Sequence, residues 1–336
     1  MSVASLAIVT DAWSPQVNGV VNTLQRTRDE LLRDGYRVSM LTPERHLTLP
    51  CPSYPEIRLA LLPERRVSRQ LDSIEPDHIH IATEGPIGSA ARRYCLKSGL
   101  SFTTSYHTQF PEYIRKRVPV PLHVSYALMR SFHGAARRTM VATPSQQRLL
   151  EQWHFRNIVR WSRGVDTDLF RPDNKASLNV TRPLFVYAGR VAVEKNIEAF
   201  LELALPGTKC VIGDGPALDN LKANFPDVLF SGYKFGADLA SHIAAADVFV
   251  FPSLTDTFGL VMLEAMACGV PVAAFPVTGP VDVVVHGETG ILDTDLHKAA
   301  IDALELSGDR CREVAMKYTW QAATRQFRSN LVPVAG

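Results

Sequence analysis

Two carboxylates with seven residues between them make the most informative spacing in this chain, Asp256 and Glu264 around Thr257-Phe258-Gly259-Leu260-Val261-Met262-Leu263. The apolar run 260–263 excludes an exposed helix, so Glu264 is expected within a largely buried one, where a carboxylate needs hydrogen-bond donors. The two hydroxyls of a ribose are suitable. Asp256 falls in the preceding loop, placed to accept bonds from sugar hydroxyls, and the N–H groups around Phe258 and Gly259 open the helix at its phosphate-attracting end. A second grouping is Arg190, directly after an apolar run, with Lys195 five residues later. Two cations at the carboxyl end of a strand can hold a diphosphate and offset charge building on it as it leaves. Outside that setting they are a surface arginine and a Glu194–Lys195 pair. The third is Gly19, at the entrance of a helix after Thr10-Asp11-Ala12-Trp13-Ser14-Pro15-Gln16-Val17-Asn18, where backbone N–H groups can approach a phosphate or sugar. It is not a GxGxxG fingerprint.

These residues need strands and turns to hold them. In the first half, β-rich apolar runs at 6–9, 38–41, 78–81, 102–105, 140–142 and 158–161 alternate with helical patterns at 20–33, 86–97, 122–137 and 146–153. A second series of runs, at 184–188, 210–212, 228–230, 248–251, 270–274 and 290–292, follows the polar stretch 166–182. The alternation predicts two α/β halves with parallel sheets, whose ligands sit beyond the carboxyl ends of strands. We expect domains at 1–165 and 166–318, with the last helical stretch, 319–336, packing back onto the first.

At 336 residues and 46% hydrophobic content the chain can build two full cores, and it holds no apolar run of membrane-spanning length. The start, 6–9, is too short for a signal-peptide core. Five widely spaced cysteines without a CxxC pair point to a reduced, cytoplasmic compartment and away from zinc. The net charge of +2 hides an asymmetry, since residues 1–165 carry 22 Lys and Arg against 13 Asp and Glu, leaving a surplus of acids in the remainder. A basic first half suggests an anionic partner.

The segments quoted resemble retaining glycosyltransferases of family 4, which adopt the GT-B fold of two Rossmann-like domains facing a cleft. Asp256-x7-Glu264 is similar to that family's Glu-x7-Glu motif, Gly189-Arg190 with Lys195 to its phosphate-binding pair, and Gly19 to its glycine loop. Arg163-Gly164-Val165-Asp166 and Val211-Ile212-Gly213-Asp214-Gly215-Pro216 match further family segments in the same order. Asp256 departs from the motif by one methylene, which bears on the identity of the donor sugar. Thr255-Asp256-Thr257-Phe258-Gly259 resembles the branch of bacterial glycolipid synthases, mannosyltransferases and sulfoquinovosyltransferases. The resemblance implies a nucleotide-diphosphate-sugar donor, UDP- or GDP-linked, held by Gly19, Arg190, Lys195, Gly213, Lys234, Asp256, Thr257, Phe258, Gly259 and Glu264. It assigns catalysis to His107, Arg190, Lys195 and Asp256, with His107 near the reacting carbon. Asn18, Glu84 and His107 would orient the acceptor. It implies no cofactor and no metal, the fixed cations taking the metal's place. Asp166-Thr167-Asp168 and Asp293-Thr294-Asp295 imitate a metal motif of another fold, and His78 and His80 alternate with Ile79 and Ile81 as strand residues do.

Two basic clusters, Arg65, Arg66 and Arg69 and then Arg115, Lys116 and Arg117, sit among aliphatic and aromatic residues, as in segments that rest on anionic bilayers. With the resemblance they suggest a peripheral enzyme on the inner face of the cytoplasmic membrane acting on a lipid such as diacylglycerol. Nucleic acid is excluded as the anionic partner by the acidic second half. Rival readings are the same chemistry on a soluble or polysaccharide acceptor, a nucleotide-sugar epimerase on the same fold, and an inactive binding module.

Overall fold

The computed structural model describes residues 3–16, 18–51, 54–115 and 119–335. They form two compact units, residues 1–162 with 320–336 and residues 163–319. The first runs β1 (Ser5–Val9), α1 (Gly19–Arg33), β2 (Arg37–Leu41), β3 (Thr48–Cys51), β4 (Tyr54–Ala60), α2 (Glu64–Ile74), β5 (His78–Ile81), α3 (Pro86–Ser98), β6 (Thr103–Tyr106), α4 (Phe110–Arg115), α5 (Leu122–His133), β7 (Arg138–Val141), α6 (Pro144–Gln152) and β8 (Ile158–Arg160). The second runs β9 (Leu184–Ala188), α7 (Glu198–Leu201), β10 (Thr208–Ile212), α8 (Leu218–Asn224), β11 (Leu229–Gly232), α9 (Gly236–Ala244), β12 (Val248–Phe251), α10 (Leu260–Ala267), β13 (Val272–Ala274), α11 (Pro280–Val283), β14 (Gly290–Leu292), α12 (Leu296–Asp302) and α13 (Gly308–Ala315). The last helix, α14 (Trp320–Asn330), belongs to the first unit.

Each unit has a six-stranded parallel sheet, ordered β2-β1-β5-β6-β7-β8 in the first and β11-β10-β9-β12-β13-β14 in the second. Helices cover both faces, so the strands read as near-continuous apolar runs. In β1, Leu6 and Ile8 enter one core with Trp161 and Phe327, while Ala7 and Val9 enter the opposite core with Ile79 and Ile81. In the second unit Phe185, Tyr187, Val248 and Val250 share a core with Phe200 and Ala299. Phe327 carries α14 into the first unit, where Arg328 also pairs with Asp34 of that unit at 2.7 Å.

Strand order reverses direction between β1 and β5 in the first sheet and between β9 and β12 in the second. At such switch points the loops leaving neighbouring strands diverge and open a crevice for a ligand. The residues after β9 are Gly189 and Arg190, and those after β12 lead through Asp256 to Gly259. After β1 comes the segment ending at Asn18 and Gly19, after β5 comes Glu84, and His107 follows the next strand, β6.

The antiparallel β3–β4 ribbon and helix α2 have no counterpart in the expected elements. Pro50 and Pro55 interrupt the strand pattern in the ribbon, and in α2 the basic cluster masks the pair Val67 and Leu71, which are buried at helical spacing. The helix expected over 122–137 ends at His133, before Gly134.

Candidate active site

In the second unit, the backbone first brings the loops after β9 and β10 together. Gly189 and Gly213 have φ of 152° and 148°, and a Cβ on Gly213 would lie 1.9 Å from the Gly189 carbonyl oxygen. Only glycine permits that approach. The chain then turns through a 3-10 segment, Val193–Lys195, to Asn196 in the left-handed region, and Asn196 Nδ2 donates to Pro252 O at 3.0 Å. That bond ties the loop after β9 to the loop after β12. Beside it, Lys195 Nζ donates to both oxygens of Asp256, at 2.6 Å to Oδ1 and 2.9 Å to Oδ2. Both side chains are about one-fifth exposed, so the pair is accessible to a ligand without being fully hydrated.

Helix α10 begins after Gly259, whose φ of 80° a side chain would strain and whose added Cβ would meet Met262 and Phe251. The N-cap residue of α10 is Gly259, which has no side chain to cap the helix. Met262, Leu263, Ala265 and Met266 are buried, and Glu264 is half-buried among them. Arg190 and Thr257 are half-buried and Phe258 is buried. Lys234 stands after the edge strand β11 and pairs with Asp238 at 3.1 Å. Two strand spacings, about 10 Å, separate β11 from β9. Gly213 meets its neighbours through backbone packing. The structure therefore joins Lys195, Asp256 and the start of α10 directly, and leaves Lys234 engaged elsewhere.

The first unit's switch point is built differently. Asp11, at the end of β1, is buried and accepts bonds from Ile87 N at 2.8 Å, Gly88 N at 3.2 Å and Thr83 Oγ1 at 2.9 Å. Its carboxylate thus fills the N-terminus of α3. Burial pushes its carboxyl above the usual carboxylate range, against the pull of those backbone bonds. Asn18 is the N-cap of α1, its side-chain oxygen accepting from Val20 N and Val21 N, both at 3.0 Å, and Gly19 is the exposed first residue of that helix. Glu84 Oε1 lies 3.0 Å from Nε2 of the fully buried His133. His107 Nε2 lies 2.8 Å from Ser105 Oγ, and its ring meets Trp161 edge-on at 5.6 Å between centroids.

The model described as "Glycosyltransferase Family 4" matches residues 17–169, and that described as "Glycosyl transferases group 1" matches residues 182–307. The chain is 30% identical to a GDP-mannose-dependent alpha-mannosyltransferase of Mycolicibacterium smegmatis, over 89% of this chain and 87% of that protein. It belongs to glycosyltransferase family 4. This family 4 chain is also 31% identical to the sulfoquinovosyl transferase SQD2 of Arabidopsis thaliana, over 84% of itself and 61% of SQD2. Among solved structures, the sucrose-phosphate synthase of Thermosynechococcus elongatus shares the fold with a TM-score of 0.75 at 21% identity, over 97% and 98% of the two chains. The protein is accordingly an enzyme of the GT-B fold that moves a sugar from a nucleotide sugar.

For a glycosyltransferase with these residues, the two Asp-x-Asp segments have other employment. Asp166 Oδ1 accepts from Leu169 N at 3.1 Å, and Asp295 caps α12 through His297 N and Lys298 N while Asp293 pairs with Lys298. His78 Nδ1 lies 2.8 Å from Val332 O, at the chain's end. The sequence singles out none of Asp11, Asn196, Ser105 and His133, and His80 reads there only as a strand residue. A buried aspartate two residues past the first strand is the one visible signal among them. Of the basic residues assigned to a membrane, Arg65, Arg66 and Arg69 are exposed on α2 and Arg115 ends α4, whereas Lys116 and Arg117 lie outside the described residues.

Proposed function

We propose that this enzyme transfers a hexose, with retention, from a nucleoside-diphosphate sugar to a hydroxyl of a membrane lipid such as diacylglycerol, without a metal ion. The observation that carries the reading is the Lys195–Asp256 pair, in the loop that leads through Gly259 into α10, at the switch point of the second sheet. Arg190, Lys195 and the first N–H groups of α10 take the diphosphate, Glu264 the ribose and Asp256 the sugar hydroxyls. As the bond from the anomeric carbon to the β-phosphate oxygen breaks, its electron pair stays on the phosphate, whose charge Arg190 and Lys195 stabilise. The acceptor oxygen bonds to the anomeric carbon on the face the diphosphate leaves, and its proton passes to the departing phosphate oxygen. His107 serves the reacting end, and Asn18 and Glu84 lie on neighbouring turns. Retention and metal independence rest on family membership and on these cations.

The lipid acceptor is supported by the glycolipid-synthase resemblance of the segment around Asp256 and by a groove in the first unit. It has a volume of about 1110 Å³ and is lined by Arg28, Arg45, Arg65, Arg66 and Arg69, with Glu44 the one carboxylate on its wall among the described residues. Leu62 lines it too, and Leu47, Leu49 and Leu61 nearby in the chain are likewise exposed. Arginines around exposed leucines suit an anionic interface, in keeping with a peripheral enzyme on the inner face of the cytoplasmic membrane. No described helix is long and apolar enough to cross a membrane. The test is a panel of UDP- and GDP-hexoses offered with diacylglycerol in vesicles or with soluble sugars, reading released nucleotide and the anomer formed. Transfer to lipid with an α product from an α donor is expected. Transfer to soluble sugars alone, or an inverted product, refutes the proposal.

A further inference from the structure

A fully buried histidine stands behind the half-buried Glu84 carboxylate at the first sheet's switch point. His133 closes α5, and its ring lies against Tyr106, Phe132 and Phe155, at 5.6, 5.1 and 6.3 Å between centroids. Its Nδ1 lies 2.9 Å from Thr104 Oγ1, which lies 3.0 Å from Thr139 Oγ1. Asn157 Nδ2 donates to Thr139 Oγ1 at 3.1 Å and to the carbonyl oxygens of His133 and Ala136 at 2.9 and 2.8 Å. Thr139 Oγ1 also lies 3.4 Å from His133 O. On the other side of the ring, His133 Nε2 lies 3.0 Å from Glu84 Oε1, and the Glu84 side chain keeps 16% exposure.

The turn that carries Glu84 is seated just as closely. Asp11 N donates to Thr83 Oγ1 at 2.7 Å, and Thr83 Oγ1 donates to Asp11 Oδ2 at 2.9 Å. A Cβ on Gly85 would lie 2.4 Å from Asp11 Cγ, and one on Gly88 would lie 1.8 Å from Thr83 O. An ionised carboxylate only accepts hydrogen bonds, so His133 Nε2 carries a hydrogen whether the ring is neutral or charged. In a neutral ring Nδ1 takes the Thr104 hydrogen, Thr104 that of Thr139, and Thr139 one from Asn157. In a charged ring Nδ1 donates instead, and the hydroxyl hydrogens run the other way to His133 O. Both arrangements keep the bond to Glu84. A glutamate at a strand end is otherwise free to turn to water. Here a buried donor draws Oε1 inward, and the charge-assisted bond offsets the side-chain freedom lost. No described residue bonds to Oε2.

We infer that His133 is a positioning residue for Glu84, holding Oε1 so that Oε2 is presented to the acceptor hydroxyl. A carboxylate already fixed in one rotamer binds a hydroxyl without first giving up its own freedom, and the gain falls on the acceptor alone. The kinetic consequence rests on the proposed place of Glu84 on the acceptor side. The bond between His133 and Glu84 does not, and is read separately.

The experiment is steady-state transfer to diacylglycerol in vesicles, varying donor and acceptor in turn, with ¹⁵N NMR of histidine-labelled protein. It compares wild type with His133→Phe, His133→Gln, Glu84→Gln and the double variant His133→Phe/Glu84→Gln. Wild type is expected to show a protonated His133 Nε2 whose signal moves in Glu84→Gln. His133→Phe should raise acceptor KM about tenfold, the lower end of what a hydrogen bond to a charged group is worth, and leave donor KM unchanged. His133→Gln, whose amide nitrogen reaches the place of Nε2, should restore most of the loss. Glu84→Gln should raise acceptor KM likewise, and the double variant should be no worse than the weaker single, because the two residues act as one unit. A bare Nε2 in wild type, donor and acceptor KM shifting together, losses that add in the double variant, or an acceptor KM that does not move, each overturns the inference. If wild type transfers to a soluble sugar and not to diacylglycerol, the lipid reading falls and the same comparisons run with that sugar. If His133→Phe does not fold, Glu84→Gln, His133→Gln and the ¹⁵N signal decide.

Discussion

The Lys195–Asp256 ion pair makes a demand that can be tested with three variants, Lys195→Met, Asp256→Asn and both together. With the ammonium 2.6 and 2.9 Å from the two carboxylate oxygens and an effective dielectric of about 20, such a pair has a gross attraction of roughly 6 kcal/mol. Both side chains are about one-fifth exposed, so desolvation and screening reduce the net value to about 1–2 kcal/mol. Removing one partner leaves a half-buried charge, which should cost about 2 kcal/mol and lower the melting temperature by roughly 4–8 °C in a unit of this size. The double variant has no stranded charge and should recover most of that loss. Activity should behave otherwise. If Lys195 takes the diphosphate during transfer, Lys195→Met loses about 2–4 kcal/mol of transition-state stabilisation, a hundredfold or so in kcat/KM, and the double variant recovers none of it. Released nucleotide reports the activity and thermal unfolding the stability. Should the double variant regain activity along with stability, Lys195 serves only to neutralise Asp256. Turnover within about threefold of wild type in both single variants would sink the assignment.

Transfer should continue in excess EDTA, since Arg190 and Lys195 supply the charge; loss of activity that manganese or magnesium restores overturns the metal-free reading. Replacing Arg45, Arg65, Arg66 and Arg69 by Gln should abolish pelleting with anionic vesicles at low salt, at roughly 1 kcal/mol per basic residue, while wild-type binding that ignores salt or lipid charge counts against the groove. Asp11→Asn should cost least at neutral pH. A carboxyl whose folded pKa is raised contributes its stability below the unfolded pKa and loses it as pH rises through the folded one, so the wild type's advantage in urea unfolding should shrink from pH 4 toward pH 7.

The sheets were legible because their strands are buried on both faces. Apolar runs such as Leu184–Ala188 and Val248–Phe251 stand out, and both become strands over those residues. The same burial made His80 hard to read. In a half-exposed strand, alternation of His and Ile would send the histidines to water, whereas a parallel sheet covered on both sides places His80 in a core. Its partners Thr103 and Ser105 lie one strand away, fixed by the register of β5 on β6. No local pattern announces that register. The 61 residues from Lys195 to Asp256 are of the same kind. The spacing of Asp256 and Glu264 put one carboxylate in a loop and the other in a buried helix, and both are so placed, but the cation beside the first is brought there by strand order.

The two switch points explain why one half of the molecule should take the charged end of the donor. In the first sheet a helix N-terminus is present, yet Asp11 occupies it with two backbone bonds and a buried carboxylate. A phosphate there would find those N–H groups already bonded to the protein's own side chain, which takes up the helix term of about 1–2 kcal/mol. What remains around it, Asn18, Glu84 and His107, offers hydrogen bonds to neutral hydroxyls. In the second sheet the corresponding helix, α10, has a left-handed glycine as its N-cap, with Lys195 at the adjoining strand end. There the helix term and the fixed cation act in the same direction on an incoming diphosphate. The pairing with Asp256 keeps Lys195 from standing as a half-buried lone charge without a ligand. A diphosphate that draws Lys195 to itself frees the Asp256 carboxylate for the sugar hydroxyls carried on the same ligand. On the proposed reading, nucleotide and hexose would be recognised by the two halves of one ion pair, which a nucleotide lacking its sugar would satisfy only in part.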